Sequence, residues 1–157
     1  MKYMLSRIWG TALLAGLAMG LLASERSAAA AFVYKFDDVF DGAKPGGGSP
    51  YITTSFTDLS SGVVQLKISA SGLVGNEYLS GLFLNLDSSE KPGDLNFTYV
   101  GGSGGFSQPK ISTGENKFKA DGVGKFDIDL TFSAKTSKAF SANEYVIYNI
   151  TSSAFTL

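Results

Sequence analysis

Two aspartates on one predicted strand form the arrangement in this chain that comes nearest to catalytic chemistry. Asp127 and Asp129 lie two residues apart in the segment K-F-D-I-D-L-T-F, residues 125–132. Alternate strand residues share a face, which would place the two carboxyl groups about 6.6 Å apart, a separation suited to two-carboxylate glycoside hydrolysis. A catalytic acid also needs burial to raise its pKa, whereas an exposed polar face produces the same spacing. We therefore interpret the pair as solvent-facing and predict that the protein is not an enzyme.

The same segment is also the best candidate for a calcium site. Calcium is bound by six to eight oxygens, usually from several carboxylates grouped on a turn. Asp121, Asp127 and Asp129 with turn carbonyls would supply part of such a shell. Val123, however, occupies the position that a D-x-D pattern would give to another carboxylate. We interpret Asp121 as a turn residue and predict neither a metal nor another cofactor.

Several other kinds of site are excluded by composition. Residues 31–157 contain no histidine, cysteine or arginine, which excludes Ser-His-Asp and Cys-His catalysis, zinc sites with His or Cys ligands, and arginine clamps. The same residues carry 10 lysines against 13 acids, a net charge of −3, which is unfavourable for binding nucleic acid. Without disulfides, the domain must be stabilised by its core, for which 12 phenylalanines and 6 tyrosines are available.

Period-2 alternation of apolar residues dominates the chain after residue 31. It predicts strands near residues 32–36, 51–59, 64–68, 79–86, 95–100, 126–132 and 144–151, separated by Gly/Ser/Asn/Asp turns, with a loop over residues 41–50. The predicted core contains Leu84, Phe126, Ile128, Leu130, Phe132 and Ile147. This pattern predicts an all-β domain, an antiparallel β-sandwich or jelly-roll-like fold, and a closed barrel is the alternative.

The first 30 residues have the composition of a secretory signal peptide. Lys2 and Arg7 precede an uncharged apolar run over residues 8–23, and small residues follow at 28–31. The run of about 16 residues is shorter than the roughly 20 that span a bilayer. We predict cleavage near Ala30, leaving a single β-sandwich domain over residues 31–157, secreted to the periplasm or the extracellular space. An uncleaved membrane anchor is the alternative.

The segment N-K-F-K-A-D-G-V-G-K-F-D-I, residues 116–128, resembles a motif of exported bacterial proteins of the PEP-CTERM group. The F-L-N-L-D stretch at 83–87 and residues 145–155 are similar to other strands of these proteins. Val123 departs from their usual aspartate, and no V-P-E-P, transmembrane and arginine tail follows. The resemblance implies a surface or exopolysaccharide-associated protein, here without a stable membrane anchor and with a domain that is either complete or truncated at its C-terminus.

These observations leave two classes of function open. The first is a non-enzymatic protein of the cell envelope or exopolysaccharide matrix, for which extracellular polysaccharide is the expected partner. The second is a carbohydrate-binding module in which exposed tyrosines stack on sugar rings, with Tyr51, Tyr78 and Tyr99 as candidates. The strongly apolar strand at 144–151 is in addition expected to leave an open sheet edge, so we predict self-association through the late strands.

Overall fold

The computed structural model describes residues 31–39, 42–120 and 124–152. Within these ranges the chain forms ten β-strands, two short 3₁₀ turns and no α-helix. The strands are β1 (Ala31–Phe36), β2 (Ile52–Ser60), β3 (Val63–Ser69), β4 (Tyr78–Leu79), β5 (Gly81–Leu84), β6 (Leu95–Gly102), β7 (Lys110–Ala120), β8 (Gly124–Thr131), β9 (Phe140–Ser141) and β10 (Tyr145–Ser152). The 3₁₀ turns are Pro92–Asp94 and Thr136–Lys138. The predicted signal peptide, residues 1–30, lies outside the described residues.

The larger sheet has five antiparallel strands in the order β1-β2-β3-β10-β6. The β2–β3 hairpin has the predicted turn, in which Gly62 adopts a φ of 72° that favours glycine. The register of the five strands aligns one row of side chains across the whole sheet, because directly paired residues point to the same face. This row, called the central row below, is Phe32, Phe56, Leu66, Tyr148 and Tyr99.

The smaller sheet has three antiparallel strands in the order β5-β8-β7, and β4 pairs separately with β9. A single cluster of buried side chains joins the two larger sheets, with Leu66 and Val146 from one and Leu82 and Leu130 from the other. The ring of Phe140 packs into the same cluster. The fold is therefore all-β, antiparallel and sandwich-like, as predicted. The described strands leave each of the two larger sheets with two outer strands, so neither closes into the barrel that was the alternative.

Most predicted strands are present with small shifts of their ends. The predicted strand at 79–86 is instead divided into β4 and β5, because β4 pairs with β9 whereas β5 pairs with β8. The eleven-residue β7 was not predicted. Its sequence, K-I-S-T-G-E-N-K-F-K-A, is polar and contains a glycine and an asparagine, which are unfavourable in strands.

The predicted core is confirmed for Ile128, Leu130 and Phe132, which are buried. Phe126 is half-buried, and Leu84 is partly buried against the core cluster. Ile147 was assigned to the wrong face. The buried residues of β10 are Val146, Tyr148 and Ile150, while Ile147 is only half-buried. Because β10 is apolar on both faces, its alternation does not identify which face meets the core.

The prediction that the strand at 144–151 leaves an open edge is wrong. β10 lies inside the five-stranded sheet, with β3 on one side and β6 on the other. The outer strands of this sheet are β1 and β6. In the three described ranges, no helical segment has the length and apolarity to cross a membrane.

Candidate functional site

Asp127 is buried and is not the solvent-exposed side chain that alternation predicted. It is only 9% exposed, and its two carboxylate oxygens accept backbone N–H groups from two different segments. Oδ1 lies 2.7 Å from the N–H nitrogen of Asn116, and Oδ2 lies 3.1 Å from that of Leu86. Both oxygens are therefore engaged in fixing the backbone, which argues against a role as a general acid.

A bulge in β7 explains why Asp127 is buried. Thr113 pairs with Ile128 and Phe118 pairs with Phe126, so residues 114–117 all stand opposite Asp127. Within this bulge Asn116 has a φ of 47°, in the left-handed region. Its N–H, displaced from the strand ladder, is bound by the carboxylate. The sequence motif around Asp127 thus stabilises an irregular strand pair.

Asp129 has different surroundings, so the two aspartates do not act as a matched pair. It is half-buried, and the hydroxyl of Thr131 lies 3.0–3.1 Å from its carboxylate oxygens. The third calcium candidate, Asp121, lies outside the described residues. In the part of the chain that the structure describes, no group of three or more His, Cys, Asp or Glu side chains could hold a metal ion.

Of the three tyrosines proposed for sugar stacking, Tyr51 and Tyr78 line the same cavity and Tyr99 lies elsewhere. Tyr51 is 6% exposed and belongs to the core, so it is not the exposed side chain that the stacking prediction assumed. The sequence could not reveal this, because Tyr51 immediately precedes β2 and both Tyr51 and Ile52 are buried, so alternation does not predict which of them is exposed. Tyr78 is 44% exposed and Tyr99 is 42% exposed, but they lie in different sheets, on β4 and β6. Tyr78 is the exposed one of the two tyrosines that line a large cavity.

This cavity, called the cleft below, has a volume of about 920 Å³. It is bounded by the end of β1, residues 42–52, residues 73–83 and the ends of β7 and β8. Its apolar lining includes Phe36, Tyr51, Ile52, Leu73 and Leu82. Its polar lining includes Asp38, Asn76, Glu77, Ser80, Lys119, Asp129 and Thr131. Ligand sites in proteins typically combine such an apolar surface with a few polar groups.

Glu77 fixes the two loops that form one wall of the cleft. Its carboxylate accepts the N–H of Gly46 at 2.6 Å and the N–H of Val74 at 2.8 Å. These two backbone hydrogen bonds hold the pKa of Glu77 below its usual value, because they stabilise the charged form. Tyr78, the next residue, is thereby placed at a defined position on the cleft wall.

The loops also approach each other through glycines. A Cβ at Gly72 would collide with the carbonyl oxygens of Gly48 and Pro50, and one at Gly47 would collide with the carbonyl oxygen of Gly72. The Ser49 hydroxyl in addition donates a hydrogen bond to Asp37. The glycine-rich loop predicted at 41–50 has no regular structure in its described part, yet these contacts tie it to its neighbours.

Sequence reasoning identified Tyr51, Tyr78 and Asp129 but not the rest of the cleft. Lys119, Glu77 and Asp38 come from three separate segments, and no local pattern links them. The glycines at 46–48 and 72 were the available signal, since close backbone approach requires residues without a side chain.

Comparisons of this chain with protein-family models, curated proteins and solved structures gave no significant match.

Proposed function

We propose that this protein is a secreted, non-enzymatic module of the cell envelope or exopolysaccharide matrix that binds extracellular saccharide in the cleft. The observation that carries the proposal is the position of Tyr78, which is half-exposed at a cavity of about 920 Å³ with an apolar lining and several polar groups. An exposed aromatic ring provides a stacking surface for the apolar face of a sugar. The surrounding carboxylates, amide and hydroxyls are suitable partners for sugar hydroxyls.

The charge and chemistry of the cleft also favour a neutral or amine-bearing saccharide. Among the described lining residues, Asp38, Glu77 and Asp129 supply three carboxylates against the single cation of Lys119. An acidic polymer would be repelled by this excess of negative charge. The engagement of both Asp127 oxygens by backbone N–H groups supports the non-enzymatic part of the proposal.

Affinity electrophoresis of the purified protein in gels containing neutral or acidic polysaccharides tests the binding proposal. We expect retardation by a neutral polymer and a loss of about tenfold in affinity for Tyr78→Ala, equivalent to roughly 1.4 kcal/mol. Tyr145→Ala is the matched control, because Tyr145 is exposed to a similar degree and does not line the cleft. Equal losses for both variants, or no retardation by any polymer, would reject the cleft as a saccharide site.

Secretion is a separate part of the proposal and rests on the composition of residues 1–30. N-terminal sequencing of the protein recovered from culture medium or periplasm should find Ala31 or Phe32 first. Recovery of an intact Met1 from that fraction would rule out cleavage near Ala30.

A further inference from the structure

A second, smaller cavity lies where the two sheets open at one side. It has a volume of about 340 Å³ and lies between β6, an outer strand of the large sheet, and β7, an outer strand of the small one. Its lining residues are Leu95, Phe97, Gln108, Pro109, Ile111, Thr113 and Tyr148. We call this cavity the edge pocket. Among the described residues, none lines both the edge pocket and the cleft.

Tyr148 gives the edge pocket a polar group that needs a partner. Its side chain is buried, and its hydroxyl makes no hydrogen bond within the described structure. A buried hydroxyl without a partner is costly, since it has lost water and gained nothing in exchange. The only other side chain in this condition among the described residues is Thr54, which lines neither cavity. Tyr148 is therefore distinguished by its place beside an accessible space.

The protonation state of Tyr148 and the aromatic rings around it determine which ligands the edge pocket can bind. Burial raises the pKa of Tyr148 to about 12, and the nearby phenol of Tyr99 adds a smaller contribution. The hydroxyl therefore stays protonated at neutral pH and can donate a hydrogen bond. The ring of Phe97 meets that of Tyr148 edge to face, with centroids 6.5 Å apart. Aromatic carbon thus surrounds the donor on one side.

The other described residues of the lining are uncharged. Gln108 is exposed and contributes an amide that both donates and accepts, and Thr113 is half-buried and contributes a hydroxyl. Leu95, Pro109 and Ile111 supply apolar surface. An ion entering this pocket would lose hydration without meeting an opposite charge, which disfavours charged ligands.

We propose that the edge pocket is a binding site for a small uncharged molecule with one ring, whose hydroxyl or carbonyl oxygen accepts a hydrogen bond from Tyr148. The apolar part of the ring packs against Phe97 and Ile111, while the amide of Gln108 binds a second polar group at the entrance. This site is separate from the saccharide cleft, and neither proposal depends on the other. A phenyl alcohol and a monosaccharide share the required chemistry.

Titration of the purified protein by NMR, observing the tyrosine ring signals, provides the test. Benzyl alcohol is the uncharged probe and benzoate is its charged counterpart of similar size. We expect saturable shifts of the Tyr148 signals with a Kd of about 1 mM for benzyl alcohol, typical of a very small ligand in an open site. Benzoate should bind at least about tenfold more weakly. A methyl glucoside that competes with benzyl alcohol would support the site and identify a sugar as its ligand.

Tyr148→Phe removes only the hydroxyl and should weaken benzyl alcohol binding by about three- to tenfold, the usual effect of losing one hydrogen bond. The variant should fold, because the deleted group has no protein partner. Tyr99→Phe is the control, since it removes a neighbouring hydroxyl outside the pocket and should leave binding unchanged. Gln108→Ala, on an exposed residue, provides a second variant that should weaken binding. Absence of saturable shifts, equal binding of benzoate, or wild-type affinity in Tyr148→Phe would overturn the proposal.

Discussion

The middle and the two ends of the central row differ sharply in burial, although apolar or aromatic residues occupy every position of the row. Leu66 on β3 is completely buried, whereas Phe32 on β1 is 63% exposed. At the other end of the row, Tyr99 on β6 is 42% exposed. All of these side chains lie on the same face of the five-stranded sheet, as the strand register requires.

The difference follows from the widths of the two sheets. The large sheet has five strands and the facing sheet has three, so the inner face of the large sheet extends beyond its cover. β3 and β10 lie under the small sheet, and β1 lies outside it. Alternation in a sequence therefore indicates which side of a strand is apolar, while burial also depends on what packs against that side.

The largest expected effect is at the middle of the row. Leu66→Ala should lower the free energy of unfolding by about 2–5 kcal/mol, because it removes buried methyl groups and leaves a cavity. Urea denaturation followed by tyrosine fluorescence measures this change. A loss under about 1 kcal/mol would mean that the centre of the row can collapse around the smaller side chain, and would remove the contrast with the edge.

Asp127→Ala should produce the next largest effect, a loss of about 2–3 kcal/mol, because two backbone N–H groups would lose a charged acceptor. Asp129→Ala is the matched control on the same strand and should change stability by no more than about 0.5 kcal/mol. Asp127→Asn should fall between them, since one of its two acceptor oxygens becomes an NH₂ donor. Equal effects of the two alanine variants in urea denaturation would show that the bulge does not depend on Asp127.

These two aspartates also show how far the sequence could predict the site. The alternation from Phe126 to Phe132 correctly predicted a strand and three buried residues. It assigned Asp127 to solvent, because the covering element is an irregular bulge in β7 whose four residues have no periodic pattern. The cleft likewise could not be predicted from the sequence, because Glu77, Tyr78 and Asp129 line it together with a loop that is distant in the chain.

The fold class was easier to predict than the position of individual strands. Turn residues and alternation are local properties, so β1, β2, β3, β6 and β10 were predicted close to their observed ends. The position of β10 between β3 and β6 depends on pairing across the whole chain. That pairing decides which strands have free edges, and the prediction of an open edge at β10 was therefore wrong.

A substitution at Thr54, which lies beside the central row on β2, should stabilise the protein, whereas the substitutions at Leu66 and Asp127 destabilise it. The effect is expected to be smaller than theirs. Its side chain is fully buried and its hydroxyl has no partner among the described residues. Thr54→Val keeps the shape and removes that hydroxyl, so it should raise the free energy of unfolding by about 1 kcal/mol. The midpoint of thermal unfolding measured by circular dichroism should rise. A lower midpoint would show that the hydroxyl is satisfied in solution.

The smallest effect on stability is expected at the exposed end of the row. Phe32→Lys should change the free energy of unfolding by no more than about 0.5 kcal/mol, because the side chain is mostly in solvent and β1 pairs with β2 alone among the described strands. The same variant should reduce self-association. Among the described strands, β1 is an outer strand in unbroken register with β2. Lys35 is its only charged residue, so its outer edge carries little protection against pairing with another strand. Sedimentation velocity over a concentration series compares the variant with the wild type. A wild-type protein that stays monomeric at the highest concentration would exclude association through β1, whereas a destabilisation equal to that of Leu66→Ala would show that the row is buried as far as its edge.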